Sequence, residues 1–121
     1  MKKKIEQIIE SSILTGSRVF GGVTEGSDYD YIVHRSAFSL CWEVLKVVNY
    51  ERLAYNSKEM ISYLFKWDYK KVNLLIAKPG HYHRWVNATK KMKKLKDQGV
   101  IFRDKVQRVH AFNSYKDYNG E

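Results

Sequence analysis

Asp28 and Asp30 stand one residue apart at the head of an apolar run, Tyr31-Ile32-Val33. In a strand, residues i and i+2 point to the same face, with a rise of roughly 3.3 Å each. Both carboxylates would then face one side, close enough to share divalent cations. Ile32 continues that face, while Tyr29, Tyr31 and Val33 take the other. Carboxylates beside a phosphate-bearing substrate are the usual protein contribution to a Mg²⁺ site. Upstream lies Gly16-Ser17-Arg18, and four of the seven glycines (Gly16, Gly21, Gly22 and Gly26) fall in the stretch from it to the aspartates. Such backbone can turn sharply or approach a ligand with no Cβ in the way. The Gly16-Ser17 turn offers backbone N–H groups and a hydroxyl, the makings of a phosphate nest. Arg18, next to it, is placed to touch a triphosphate, better than Lys78 or Arg84. Gly, Ser and Asp also dominate plain solvated turns. The strand-like Tyr-Ile-Val directly after the aspartates argues against that simpler reading.

These elements must position the pair. Ile5, Ile8, Ile9, Ser12 and Ile13 fall at helical spacing, which predicts a helix from residue 2 to about 13, merging with a short strand near Ile13-Leu14. The Gly16 loop follows, then a strand from Asp28 to His34. Ser36 reads as the N-cap of a helix running to about Asn49, apolar nearly all round and so expected to be well buried. Leu53-Ala54-Tyr55 adds a short strand. Met60–Trp67 and Lys71–Ala77 form a hairpin across Asp68-Tyr69-Lys70. Pro79 and Gly80 break the pattern. A helix from about His81 to Asp97 puts Tyr82, Trp85, Thr89, Met92 and Leu95 inward, and Gly99 ends it. A final helix lies within Val100 to Tyr118, with Val106, Val109 and Phe112 inward, and the last residues fray.

Gly-Ser, a spacer, then Asp-x-Asp entering a strand resembles the nucleotidyltransferase superfamily, the one related to DNA polymerase β. Here the match is Gly16, Ser17, Asp28 and Asp30. Val72-Asn73-Leu74-Leu75-Ile76, followed by Trp85 and Ala88-Thr89, is similar to the short, minimal versions carried by tailed phages. The diagnostic stretch is residues 16–33, and a looser likeness extends to about residue 112. The resemblance implies an α/β (α+β) fold, a small mixed sheet with helices packed mainly on one face. It implies transfer of a nucleoside monophosphate from a nucleoside triphosphate, ATP by preference, to an acceptor hydroxyl. Gly16, Ser17 and Arg18 would hold phosphate, and Asp28 and Asp30 would be catalytic and hold Mg²⁺ or Mn²⁺. The family usually places a third carboxylate on a later strand facing the pair. Asn73 stands at that position. An amide can orient a bound water or hydroxyl, but it is a poor base and carries no charge. Either another acid, Asp68 or Glu59, takes the role, or the chain has kept the fold and lost turnover. In the second case it would bind nucleotide, nucleic acid or a host protein.

The chain is 121 residues long, 44% hydrophobic and 14% aromatic, which predicts one packed domain over 1–121 and argues against disorder. One cysteine, Cys41, rules out an internal disulfide and fits a reducing compartment. It falls in an apolar helical pattern and reads as a core residue. No apolar run approaches membrane-spanning length, and Glu6, Gln7 and Glu10 interrupt any signal-like start. The expected location is the cytoplasm, that of the host if the chain is phage-encoded. The net charge of +9 favours polyanions. Lys90, Lys91, Lys93 and Lys94, with Lys96, crowd the outer face of one helix, a candidate surface for nucleic acid phosphates or a host protein. His81 and His83 at a helix start would not share a face, so a zinc site is not expected.

Overall fold

In the computed structural model, which describes residues 1–54 and 57–117, five strands and five α-helices share one sheet and two apolar layers. In chain order these are α1 (Lys2–Glu10), β1 (Ile13–Thr15), α2 (Ser17–Phe20), β2 (Tyr29–Val33), a 3-10 turn (Arg35–Ala37), α3 (Phe38–Leu45), β3 (Tyr50–Leu53), β4 (Met60–Trp67), β5 (Lys70–Ala77), α4 (Tyr82–Asp97) and α5 (Lys105–Asp117). The sheet order is β1-β2-β5-β4-β3. Only β2 and β5 run parallel; the other neighbours are antiparallel.

The expected mixed α/β (α+β) architecture is present, but the helices cover both faces rather than mainly one. Ile5 and Ile8 of α1 and Cys41, Val44 and Leu45 of α3 pack on Val33, Val72, Leu74 and Ile76. On the opposite face Trp85, Val86, Ala88 and Met92 of α4 and Phe112 of α5 pack on Ile32, Met60, Leu75 and Ala77. The reason is visible in β5, where residues 72–77 are all buried. A strand buried on both faces reads as a continuous apolar run rather than an alternation, and it needs a helical layer on each side.

Element boundaries moved where local hydrogen bonds intervened. α1 stops at Glu10 rather than near residue 13, because the Ser11 and Ser12 hydroxyls donate to the Ile8 and Ile9 carbonyls and satisfy the helix end. Ser36 is not an N-cap. His34 Nδ1 instead accepts the Ser36 N–H, and a 3-10 turn precedes α3. α3 is not buried all round: Phe38 and Trp42 are exposed and stack on each other at 6.5 Å. The β4–β5 hairpin turns on Asp68 and Tyr69, both at positive φ, the geometry of the tight turns that match strand twist. β3 lies at 50–53 rather than around Leu53-Ala54-Tyr55, and Tyr55 is outside the described residues. In α5 Phe112 is buried, but Val106 and Val109 are exposed. Tyr118 and the expected fraying end lie outside the described residues.

Candidate functional site

Strand pairing builds the site. Thr15 of β1 pairs with Asp30 of β2, and Asp30 pairs with Asn73 of β5. The three therefore form one row across the sheet, on the face of Ile32 and Leu75. Asn73 Nδ2 donates to Asp30 Oδ1 at 3.1 Å. Its own Oδ1 is buried and has no partner among the described residues. Thr89 Oγ1 donates to the Trp85 carbonyl, so in the 2.7 Å Thr15–Thr89 contact the Thr15 hydroxyl is the donor. That bond fixes β1, and the turn after it, to α4.

Gly16 closes the other side of Asp30. Its φ is +77°, and a Cβ there would lie 2.3 Å from Asp30 Oδ2. The backbone of the Gly-Ser turn thus lies directly against the carboxylate, and the position tolerates only glycine on two counts, dihedral and space. Gly16→Ala is expected to lower stability by about 1–3 kcal/mol through strain and overlap, read as a drop in denaturation midpoint. An unchanged midpoint would mean the turn does not approach Asp30 as described.

The electrostatics follow from this enclosure. Burial pushes the Asp30 pKa up from its ordinary value, and neighbouring Asp28 adds to that. The Asn73 amide, Arg18 and Lys105 oppose the rise without cancelling it. Asp28 is more open and lies 3.8 Å from the Lys71 ammonium, a half-exposed pair that contributes little to stability. The cost of an ionised Asp30 is what a bound cation would remove. The available donors are two carboxylates and the unpartnered Asn73 Oδ1, all hard oxygens, which suits Mg²⁺ or Mn²⁺ and not a soft metal. Among the described residues there is no group of three His, Cys, Asp or Glu side chains that could hold a metal, so such an ion would lean on its ligand's phosphates as well. No family model matches this chain, and no curated protein sequence does.

Arg18 lies at the site, but its guanidinium is engaged. It donates to the Ser27 carbonyl at 3.0 Å and the Asp28 carbonyl at 3.3 Å, and stacks on Tyr29 at 3.6 Å. It ties the glycine loop to the start of β2. Sequence reasoning missed Arg108 of α5. Its guanidinium lies over the glycine loop, where a Cβ at Gly22 would fall 2.5 Å from Arg108 Cζ. Arg108 has no hydrogen bond or ion pair through its side chain among the described residues. Helix periodicity alone could not reveal this, since the contact depends on how α5 crosses α2 and its loop. Lys105, one turn earlier on the helix, supplies charge toward Asp30.

Neither alternative acid joins the pair. Asp68 sits in the hairpin turn. Glu59 accepts from Lys116 Nζ at 2.8 Å and from Trp85 Nε1 at 3.0 Å. Burial raises the Glu59 pKa, but the Lys116 ammonium, the indole N–H and His81 outweigh it, so the net shift is downward. This buried pair anchors α4 and α5 to the start of β4. Cys41 is buried, and burial pushes its thiol up to about 11, which makes it a core residue and not a nucleophile. Lys90, Lys91, Lys93 and Lys94 are exposed on α4 as expected. Lys91 lies over the Tyr115 ring, and Lys93 pairs with Asp97.

Proposed function

We propose that this chain is a metal-dependent nucleotidyltransferase, moving a nucleoside monophosphate from a nucleoside triphosphate to an acceptor hydroxyl. The observation that carries the reading is the row Thr15–Asp30–Asn73, with the Gly16 turn pressed against Asp30. The Gly16-Ser17 turn and the Asp30 carboxylate are thereby adjacent in space, and Asn73 of the strand parallel to β2 stands beside them. Asp28 and Asp30 would hold Mg²⁺ or Mn²⁺, which supplies charge neutralisation on the reacting phosphate. The Gly16-Ser17 turn receives phosphate oxygens. Asn73 Oδ1 accepts a hydrogen bond from a hydroxyl or water and so orients it. Arg18 keeps the loop in place, and Arg108 meets the phosphates from above.

Arg108→Ala is expected to weaken triphosphate binding by about tenfold, the loss of one charge-assisted contact. Because Arg108 has no side-chain hydrogen bond or ion pair among the described residues, stability should stay within about 0.5 kcal/mol. Equal affinity in variant and wild type, by calorimetric titration, would remove Arg108 from the site. For the activity itself, α-labelled ATP with Mg²⁺ is offered with RNA, protein and small-molecule acceptors. Label transfer that is lost in Asp28→Asn supports the enzyme reading.

One feature favours a second reading. Asn73 is an amide where the resemblance implies an acid, and Glu59 and Asp68 are committed elsewhere. A protein that binds nucleotide without turnover, and meets nucleic acid or a host protein through Lys90, Lys91, Lys93 and Lys94, would show triphosphate binding and no label transfer with any acceptor.

A further inference from the structure

The opposite end of the two parallel strands opens on a cavity. β2 ends at Val33 and β5 at Ala77. The residues that follow, His34 and Arg35 on one side and Lys78, Pro79 and Gly80 on the other, join Tyr82 and His83 around an open cavity of about 150 Å³. Crevices beyond the carboxyl ends of parallel strands are recurrent ligand sites. His34 lies four residues beyond Asp30, so this cavity is roughly 13 Å from Asp30 along the strand.

Its lining has one sign. His34, Arg35, Lys78 and His83 contribute nitrogen donors, and among the described residues no carboxylate lines it. Glu59, beside His81, is held by Lys116 and Trp85. Arg35 has no side-chain partner among the described residues. The Lys78 ammonium donates to the Ser57 carbonyl, which uses one of its three hydrogens. His34 Nδ1 accepts the Ser36 N–H at 3.1 Å, so a neutral His34 carries its proton on Nε2 and presents it as a donor. The Tyr82 ring meets the His34 ring edge-on at 4.9 Å and the His83 ring at 5.3 Å, which holds both imidazoles in place.

We propose that this cavity binds a phosphomonoester dianion, as a second anion site separate from the aspartate pair. A guanidinium, an ammonium and two imidazoles line one cavity with no carboxylate among the described lining residues, a donor set suited to a terminal phosphate. The site needs no metal. The phosphate can come from a free mononucleotide or from the 5′ end of a nucleic acid strand, since both carry the same group.

The test is imidazole NMR of the wild-type protein in EDTA, titrated with inorganic phosphate against chloride at matched ionic strength. His34 and His83 are expected to shift saturably, and His110 is not. Arg35→Ala should weaken the binding by about tenfold. The Asp28→Asn/Asp30→Asn variant should bind phosphate here as the wild type does, so failure of the nucleotidyl-transfer reading would leave this result intact. Adenosine monophosphate and a 5′-phosphorylated dinucleotide are then compared. Tighter binding of the first names a free nucleotide, and tighter binding of the second names a strand end. Linear shifts without saturation, equal shifts in His34 and His110, or an Arg35→Ala titration that matches the wild type would each overturn the proposal.

Discussion

Replacing both Asp28 and Asp30 with Asn is expected to leave a protein that folds at least as well without ligand and no longer responds to Mg²⁺ plus a nucleoside triphosphate. The first half follows from the raised pKa of Asp30. An acid whose folded pKa lies above its unfolded value gives its full stabilisation below the unfolded pKa and loses it as pH rises through the folded one. At neutral pH the ionised Asp30 therefore opposes folding, and an amide of the same shape removes that opposition. Wild-type stability relative to the double variant should thus improve as pH is lowered toward the acid range. Glu59, whose pKa is lowered, acts oppositely: its contribution is lost as pH falls through its folded value. It is present in both proteins, so the difference between them isolates the aspartates. The second half is mass action. Ligand at a hundredfold excess over Kd stabilises by about 2.7 kcal/mol, which for a domain of this size raises Tm by on the order of 10 °C. That rise should vanish in the variant. Equal rises in both proteins, by thermal denaturation, would show that ligand does not engage the aspartates.

Asn73→Asp is expected to produce the largest gain. The position lies beside Asp30 in register, with one amide oxygen already unpartnered. A carboxylate there adds a third negative charge to a buried site, so without metal the variant should be less stable by about 1–3 kcal/mol. With Mg²⁺ and triphosphate the order should reverse, because the added charge is a ligand for the cation and a base for the acceptor hydroxyl. General-base contributions of this kind are typically 10²–10⁴-fold in rate. Pyrophosphate release with and without Mg²⁺ measures it. Faster release identifies Asn73 as the brake on turnover; unchanged release with intact folding would show that the amide is not what limits it.

Much of the site could be read from the chain because its signals were local. The apolar Tyr31-Ile32-Val33 made the strand and put Asp30 on the face of Ile32, but β2 begins at Tyr29, so Asp28, expected inside the strand, lies just before it. The pairing of Asn73 with Asp30 was suggested only through the resemblance. Its geometric basis, two parallel strands at the centre of the sheet, depends on a crossover that no local pattern reveals. The two-faced helical layering has a local signal in Leu74-Leu75-Ile76-Ala77, a continuous apolar run where one-sided burial would alternate. Arg108 over Gly22 and Lys71 beside Asp28 were not legible, since tertiary packing alone decides which cations reach the loop. Arg18 was placed correctly beside the turn, but its hydrogen bonds to Ser27 and Asp28 carbonyls are backbone contacts that residue types do not encode. The exposed Val106 and Val109 show the same limit in α5, whose apolar residues do not all belong to the face that meets the sheet.

The central claim, that Asp28, Asp30 and Asn73 form one cation-and-phosphate site, is tested most directly with Mn²⁺ as the probe. Backbone amide signals are followed while Mn²⁺ is added at substoichiometric levels with a non-hydrolysable triphosphate. The paramagnetic ion broadens only its close neighbours. Selective broadening of Asp28, Asp30, Asn73 and the Gly16-Ser17 turn, abolished in the Asp28→Asn/Asp30→Asn variant, is the expected result. Broadening centred elsewhere, or unchanged by that substitution, would contradict the account.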